Sequence, residues 1–390
     1  MHNHIKIFNH LKKKHKSLSR KLKVVIKHRL GWLGVPLIVA YRGFGNDHVL
    51  FLKGHVTEDK GLAKPETWNS RWQNALSMIK RYSSDEIPHA KVFLEIEGRR
   101  ETLVTDENGL YESQLVHEDS RSGSPTRWIG YSVRLQHKLT EKDTKIMAKG
   151  EVLIPGSDVR FGVISDIDDT ILVSHSTRTM RKLFLMMLHN SRTRKPFPGV
   201  DAFYQALYKG ASGSETNPFF YVSSSEWNLY DLLDDFCAHN NLPKGVFLLR
   251  ELENSVFKFW KSGGGNHQHK LEKIRLLFQT YPEMPFVLIG DSGQHDPEIY
   301  DAVAREFPGR VKAIYIRDVS RARRDKDVKE ITRKLQQLDI TMLVASDTIQ
   351  ISYHAAELKL ISHESIAMIV QDAQKDLSPA PVIIPREKTG

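Results

Sequence analysis

Six short, nearly continuous apolar runs, separated by longer stretches of helical character, dominate the chain after Pro155-Gly156. They are RFGVIS before Asp166, FFYV before Ser223, GVFLL at 245–249, PFVLIG before Asp291, VKAIYI at 311–316 and TMLVAS at 341–346. A strand covered on both faces needs apolar residues at consecutive positions, so this texture predicts a parallel sheet between layers of helices. In an open sheet of that kind ligands sit at the carboxyl ends of the strands. The polar residues that end several of these runs are therefore expected to converge on one crevice.

The first run leads into ISDIDDTIL, which sets Asp166, Asp168 and Asp169 beside Thr170 at a strand end. Acids so crowded repel one another unless a cation is present. Two carboxylates with one residue between them can divide their labour. Asp166 would attack phosphorus as a nucleophile, and Asp168 would give a proton to the leaving alcohol. A hard divalent ion with oxygen ligands, Mg²⁺, would hold the acids together and neutralise a phosphate. The same cluster could instead be a surface turn or a helix cap.

A second acidic loop, GDSGQHD, follows PFVLI. Asp291 is placed to complete a metal shell. Asp296 is a more distant ligand, a loop organiser, or an N-cap ahead of Pro297. Ser223 can hydrogen-bond a phosphate oxygen at the end of a neighbouring strand, with Ser224 and Ser225 available for loop contacts. Lys270, in KLEKIRLLF, could offset the gathered negative charge, although a lysine taken alone belongs more often to the surface.

Asp166-x-Asp168-x-Thr170, Ser223, Lys270 and Asp291 with Asp296 stand in the order of the four motifs of the haloacid dehalogenase superfamily, which the chain resembles. YRGFGN at 41–46, SDIDDTI, VSSSEWNLYDLL, LPKGVFLLR, IGDSGQHDPEIY and YIRDVS are together similar to the actin-patch-type phosphatidate phosphatase catalytic domain, over about 41–365. The resemblance implies a Rossmannoid α/β fold with a short cap. It also implies Mg²⁺-dependent hydrolysis of phosphatidate to diacylglycerol through an aspartyl-phosphate on Asp166. In that scheme Asp168 is acid and then base, and its backbone carbonyl joins the Asp166 carboxylate and Asp291 on the metal, with Asp296 as a further candidate ligand. Ser223 and Lys270 hold the phosphoryl group, and Thr170 and Ser224 are further substrate contacts. Glu226 stands where the family pattern leads one to expect proline after the serine run, which leaves fine substrate preference open.

Residues from about 45 to 158 read differently. Val92, Leu94 and Ile96 alternate with polar neighbours, as do Tyr131, Val133 and Leu135, and Asn108-Gly109 marks a turn between them. This predicts a small β-sandwich interrupted by one helix near Pro65–Tyr82, where Trp68 and Trp72 suggest a packing face. The expected organisation is a basic tail at 1–40, the sandwich at 41–158, the phosphatase domain at 159–370 and a tail at 371–390.

The formal net charge of +10 belongs almost wholly to the beginning of the chain. Residues 1–46 hold eleven Lys or Arg and no acid, which leaves 46 basic against 47 acidic residues for the remainder. Lys and Arg recur around Leu18, Leu22, Val25, Ile26 and Leu30, a cationic helical pattern suited to an anionic membrane surface. A solvated tail and a nucleic-acid contact are the rival readings, the latter the weakest. Val24-Val25-Ile26 is too short for a secretory signal, and GWLGVPLIVAY is broken by Pro36 and too short to span a bilayer. A single cysteine, Cys237, excludes an internal disulfide and reads as a small buried residue of a cytoplasmic protein, one able to lie peripherally on a membrane through its basic tail. Residues 171–200 carry six Arg or Lys and no acid around the apolar TMRKLFLMMLH. That composition suits either a lid that meets a lipid surface or an ordinary packed helix. The remaining alternatives are a phosphatase of a soluble phosphomonoester and a non-catalytic interaction module with a vestigial site.

Overall fold

A computed structural model describes residues 35–59, 86–117, 123–136, 146–167, 198–250, 266–319 and 325–377. Residues 1–34 of the basic tail, the expected helix near Pro65, the basic stretch at 171–197 and the glycine-rich run at 262–265 lie outside these residues, whereas 35–40, expected to end the tail, belong to a strand. So do Asp168 and Thr170. The described chain falls into two units. The first lies within Met1–Ser157, Ser225–Asp234 and Val246–Gly265, the second within Asp158–Ser224, Asp235–Gly245 and Asn266–Gly390.

The first unit is built on a mixed sheet of eight strands: β1 (Val35–Ala40), β2 (Gly43–Gly45), β3 (Val49–Asp59), β4 (Lys91–Ile96), β5 (Arg99–Val104), β6 (Leu110–Val116), β7 (Arg127–Leu135) and β8 (Met147–Ile154). Their order is β1-β3-β2-β8-β7-β4-β5, with β6 paired to β3. β2 and β8 run parallel, whereas β1–β3, β4–β5 and β7–β8 are antiparallel. The alternation in β4 does what its period predicts: Val92, Leu94 and Ile96 enter one core with Tyr131 and Val133 of β7. Burying each such aliphatic side chain contributes about 1.5–3 kcal/mol. The Asn108-Gly109 turn is closed by Asp106, whose Oδ1 accepts from the backbone of Asn108 at 2.8 Å and of Leu110 at 2.9 Å. Gly109 takes a φ of 73° there, a conformation that disfavours any Cβ.

YRGFGN also finds a physical role in this unit. Tyr41 stacks on Trp227 with ring centroids 4.5 Å apart and donates its hydroxyl to the Trp227 carbonyl at 3.3 Å. The backbone N–H of Arg42 donates to Tyr230 Oη at 2.9 Å, and its guanidinium pairs with Asp234. A short 3₁₀ turn at Trp227–Leu229 is thus pinned to the strand ends by an aromatic stack and an ion pair.

The six apolar runs become six strands: β9 (Gly162–Asp166), β10 (Phe219–Glu226), β11 (Gly245–Arg250), β12 (Phe286–Asp291), β13 (Val311–Arg317) and β14 (Met342–Ala345). They form one sheet in the order β11-β10-β9-β12-β13-β14. β9 pairs in parallel with both β10 and β12, and β13 does so with β12 and β14. The α/β reading with a parallel sheet therefore holds. One element is longer than expected, because β10 runs on through the serines to Glu226.

The helices are α1 (Val200–Lys209), α2 (Tyr230–His239), α3 (Asn266–Thr280), α4 (Asp296–Glu306), α5 (Asp325–Gln336), α6 (Thr348–Glu357) and α7 (Glu364–Leu377). In α1, Val200, Phe203, Tyr204 and Leu207 fall at helical spacing and are buried. Cys237 is buried on α2, as expected. KLEKIRLLF, expected as a helix opening at Lys270, is part of a longer one, since α3 begins four residues earlier at Asn266. Among the described residues no helix is long and apolar enough to cross a membrane.

Candidate active site

β9 ends on Asp166, and register places its neighbours around it. Val222 of β10 lies opposite Asp166, so Ser223 comes one residue beyond. On the other side Ile289 lies opposite Ser165, which brings Asp291 to the end of β12. Adjacent strands are about 4.8 Å apart, so three neighbouring strand ends present Ser223, Asp166 and Asp291 side by side. All three are buried, at 1%, 0% and 0% exposure. Ser224 is half-buried.

The chain then brings in two further groups from helices. Carboxylate oxygens of Asp166, Asp291 and Asp296 lie within 4.8 Å of one another. Lys270, only 4% exposed, reaches this cluster from α3. Its Nζ is 3.2 Å from Asp166 Oδ1 and in close contact with Asp296 Oδ1. The surface reading of Lys270 is therefore excluded. A buried lysine is stable where anionic partners surround it.

Asp296 is the first residue of α4, and the N-cap position is His295. Its carboxylate faces inward instead of capping: Oδ1 meets Lys270, and Oδ2 accepts from the backbone N–H of Asp291 at 3.2 Å. The approach is close enough to exclude a side chain at Gly290, where a Cβ would lie 2.3 Å from Asp296 Oδ2. Asp291 turns the chain out of β12, because its Oδ1 accepts from the backbone of Gly293 at 2.7 Å and Gln294 at 2.9 Å. Gln294 Nε2 in turn donates to Asp166 Oδ2 at 3.3 Å.

Beside this cluster lies a buried polar layer of residues to which the motifs had assigned no role. Tyr204 Oη is 2.8 Å from Ser165 Oγ, and Ser165 donates to the Asp166 carbonyl at 2.9 Å. Burial pushes Tyr204 up to about 12, with the Asp166 charge adding to it against the Ser165 hydrogen bond and Arg317. Tyr300 on α4 donates to the Ile289 carbonyl at 2.8 Å, and burial beside Asp296, Asp166 and Asp291 raises it well above the usual phenol range. Arg317 ends β13 opposite Asp291 and donates to Thr348 Oγ1 at 3.1 Å. Its burial lowers the guanidinium to about 9 against the charges of Tyr204, Asp291 and Asp347. Arg317 and Gln294 stood inside YIRDVS and GDSGQHD, so a signal for them existed. Tyr204 carried only its helical spacing.

Residues 161–318 match the family described as "Phosphatidate phosphatase APP1, catalytic domain". This segment is similar to that catalytic domain. The phosphatidate phosphatase APP1 of Saccharomyces cerevisiae is 34% identical over 165 residues, 42% of this chain and 27% of the yeast protein. An uncharacterized protein of Schizosaccharomyces pombe is 24% identical over 266 residues, 66% of this chain and 42% of that one. The chain thus spans well under half the length of these two curated relatives. A carbohydrate acetylesterase of Xanthomonas citri aligns over 85% of this chain and 71% of its own, at 10% identity and a TM-score of 0.25, and carries no argument about fold. The family segment begins at Phe161, just before β9, and ends at Asp318, so it holds Asp166, Ser223, Lys270, Asp291 and Asp296 together.

Proposed function

We propose that this chain is a Mg²⁺-dependent phosphatidate phosphatase with a haloacid-dehalogenase-type site and Asp166 as its nucleophile. The observation that carries the reading is the convergence of three buried carboxylates, Asp166, Asp291 and Asp296, on the buried Lys270 at the carboxyl ends of β9 and β12. The printed activity of the yeast relative supplies the substrate class.

Three carboxylates against one lysine leave an excess of negative charge in a buried place, and their oxygens are the hard donors that Mg²⁺ takes. Asp166 and Asp291 would hold it, with Asp296 engaged by Lys270. Bound there, the ion would supply charge neutralisation for the incoming phosphate. The residues do the rest. Lys270 and Ser223 hold the phosphoryl group beside Asp166. Asp166 attacks phosphorus while the ester oxygen departs with a proton from Asp168. Water then attacks the aspartyl-phosphate as Asp168 takes its proton, restoring Asp166 and releasing phosphate.

The basic segment 1–40 and the basic, apolar stretch 171–200 suit an enzyme that draws a phosphomonoester from an anionic membrane surface. Phosphate release from phosphatidate in mixed micelles, with and without Mg²⁺, tests the assignment beside Asp166→Asn and a panel of soluble phosphomonoesters. Release that needs both the ion and Asp166 and favours phosphatidate supports it. Activity confined to soluble esters discards the lipid and keeps the chemistry. Liposome co-sedimentation with and without residues 1–40 tests the surface contact, and no binding by either form sinks it.

A further inference from the structure

The Asp166 carboxylate is held at both oxygens. Lys270 lies 3.2 Å from Oδ1, and Gln294 Nε2 lies 3.3 Å from Oδ2. Gln294 reaches that oxygen from the loop between β12 and α4, where its own backbone N–H is fixed to Asp291 Oδ1 at 2.9 Å. An ionised carboxylate only accepts hydrogen bonds, so the amide must present its NH₂ group. The two donors differ in kind. Lys270 is a cation on the side where a phosphate must be held, and Gln294 is a neutral donor on the other oxygen.

Resting on the reading of Asp166 as nucleophile, we propose that Gln294 is a catalytic residue of the second half-reaction and sets the lifetime of the aspartyl-phosphate. In the first step a bond forms between Asp166 Oδ1 and phosphorus, and the phosphorus–ester oxygen bond breaks with its electron pair leaving on the alcohol. Oδ2 then becomes an acyl carbonyl oxygen with little charge. In the second step water oxygen bonds to phosphorus and gives up its proton to the base. The Oδ1–phosphorus bond breaks and its electron pair returns to Asp166, so negative charge spreads back over both carboxylate oxygens.

A donor on Oδ2 therefore binds more strongly in the transition state for expulsion than in the acyl phosphate, which is the condition for accelerating a step. In the first step the same donor meets a full carboxylate before reaction and a less charged one after, so it gives no acceleration there. Gln294 is thus expected to speed dephosphorylation selectively. Hydrogen bonds to charged groups are strong enough for its loss to slow that step by roughly tenfold to a hundredfold.

The test uses the full chain with phosphatidate in mixed micelles and Mg²⁺, comparing wild type, Asp166→Asn, Gln294→Met and Gln294→Glu. Methionine keeps the length without a donor, and glutamate sets a second acceptor against Oδ2. In both Gln294 variants kcat is expected to fall with KM falling in step, leaving kcat/KM nearly unchanged. Phosphoenzyme is expected to accumulate, seen by intact mass after acid quench and absent in Asp166→Asn. A fall in kcat/KM with no phosphoenzyme in either variant, while melting is unchanged, would show that Gln294 merely shapes the loop and overturns the proposal. Kinetics in both variants equal to wild type overturn it as well. Absence of Asp166-dependent turnover in the wild type would remove the nucleophile reading itself, and this role with it.

Discussion

Ser165 and Tyr204 form a buried relay under the candidate nucleophile: Tyr204 Oη lies 2.8 Å from Ser165 Oγ, and Ser165 donates to the Asp166 carbonyl. Because the serine proton is committed to that carbonyl, Tyr204 must be the donor to Ser165. Tyr204 remains protonated at ordinary pH, since its burial holds it near 12. One helix, α1, thereby fixes the backbone from which Asp166 projects.

Ser165→Ala leaves the Tyr204 hydroxyl facing an apolar methyl in the core. The expected loss is about 1–3 kcal/mol of stability, with a fall in turnover. Tyr204→Phe removes the other half of the same pair. Urea unfolding of both single variants and the double variant is expected to show a double effect smaller than the sum. Strict additivity would exclude the coupling.

Gly290→Ala places a methyl 2.3 Å from Asp296 Oδ2 and 2.7 Å from its Cβ. The Asp296 side chain must move, and Lys270 and the Asp291 N–H lose their shared acceptor. Displacement of catalytic groups by about an ångström costs on the order of a hundredfold in rate. Phosphate-release kinetics of a variant that still melts cooperatively check this.

Lys270→Met strips the cation from a buried pair with Asp166 and Asp296. Leaving such carboxylates uncompensated costs about 3–5 kcal/mol. The variant is expected to be inactive and to melt earlier. Because it carries more unbalanced negative charge, added Mg²⁺ is expected to raise its melting temperature more than that of wild type. Equal shifts in the two proteins would argue against cation binding among these carboxylates.

His55 gives the first unit an acid-sensitive core. Its Nε2 lies 2.7 Å from the Asn108 carbonyl, and burial lowers it from 6.5 to about 4, with the Lys53 charge acting the same way against the Asn108 hydrogen bond. Between those values the unfolded chain binds the proton and the folded one does not. The stabilisation is therefore complete above 6.5 and is lost as pH falls toward 4, by about 3 kcal/mol. Thermal melting from neutral pH to about 4 is expected to show a smaller loss for His55→Gln, and parallel curves would clear His55 of the effect.

The strands were legible because each is written in consecutive residues. FVLIGD and VKAIYIR are fully or almost fully buried, and KVFLEI alternates as a strand with one covered face should. Asp166 and Asp291 could be placed at strand ends for the same reason. The direction of Asp296 could not, since Asp-Pro at a helix start reads as a cap until the partner across the loop is known. Nor could the burial of Lys270, whose helix is too weakly amphipathic for its pattern to choose a face for the lysine.

Local periodicity and burial are properties of neighbouring residues, so the six parallel strands, the two textures of the chain and the order of its polar strand ends could be read from the residues alone. The tertiary structure alone decided that Lys270 would sit between Asp166 and Asp296, that Gln294 would touch Asp166, and that Tyr204 would support Ser165. Those contacts depend on β9 lying between β10 and β12. That order is set by pairing and packing between residues as much as 128 positions apart, as for Gln294 and Asp166, where no short-range pattern reaches.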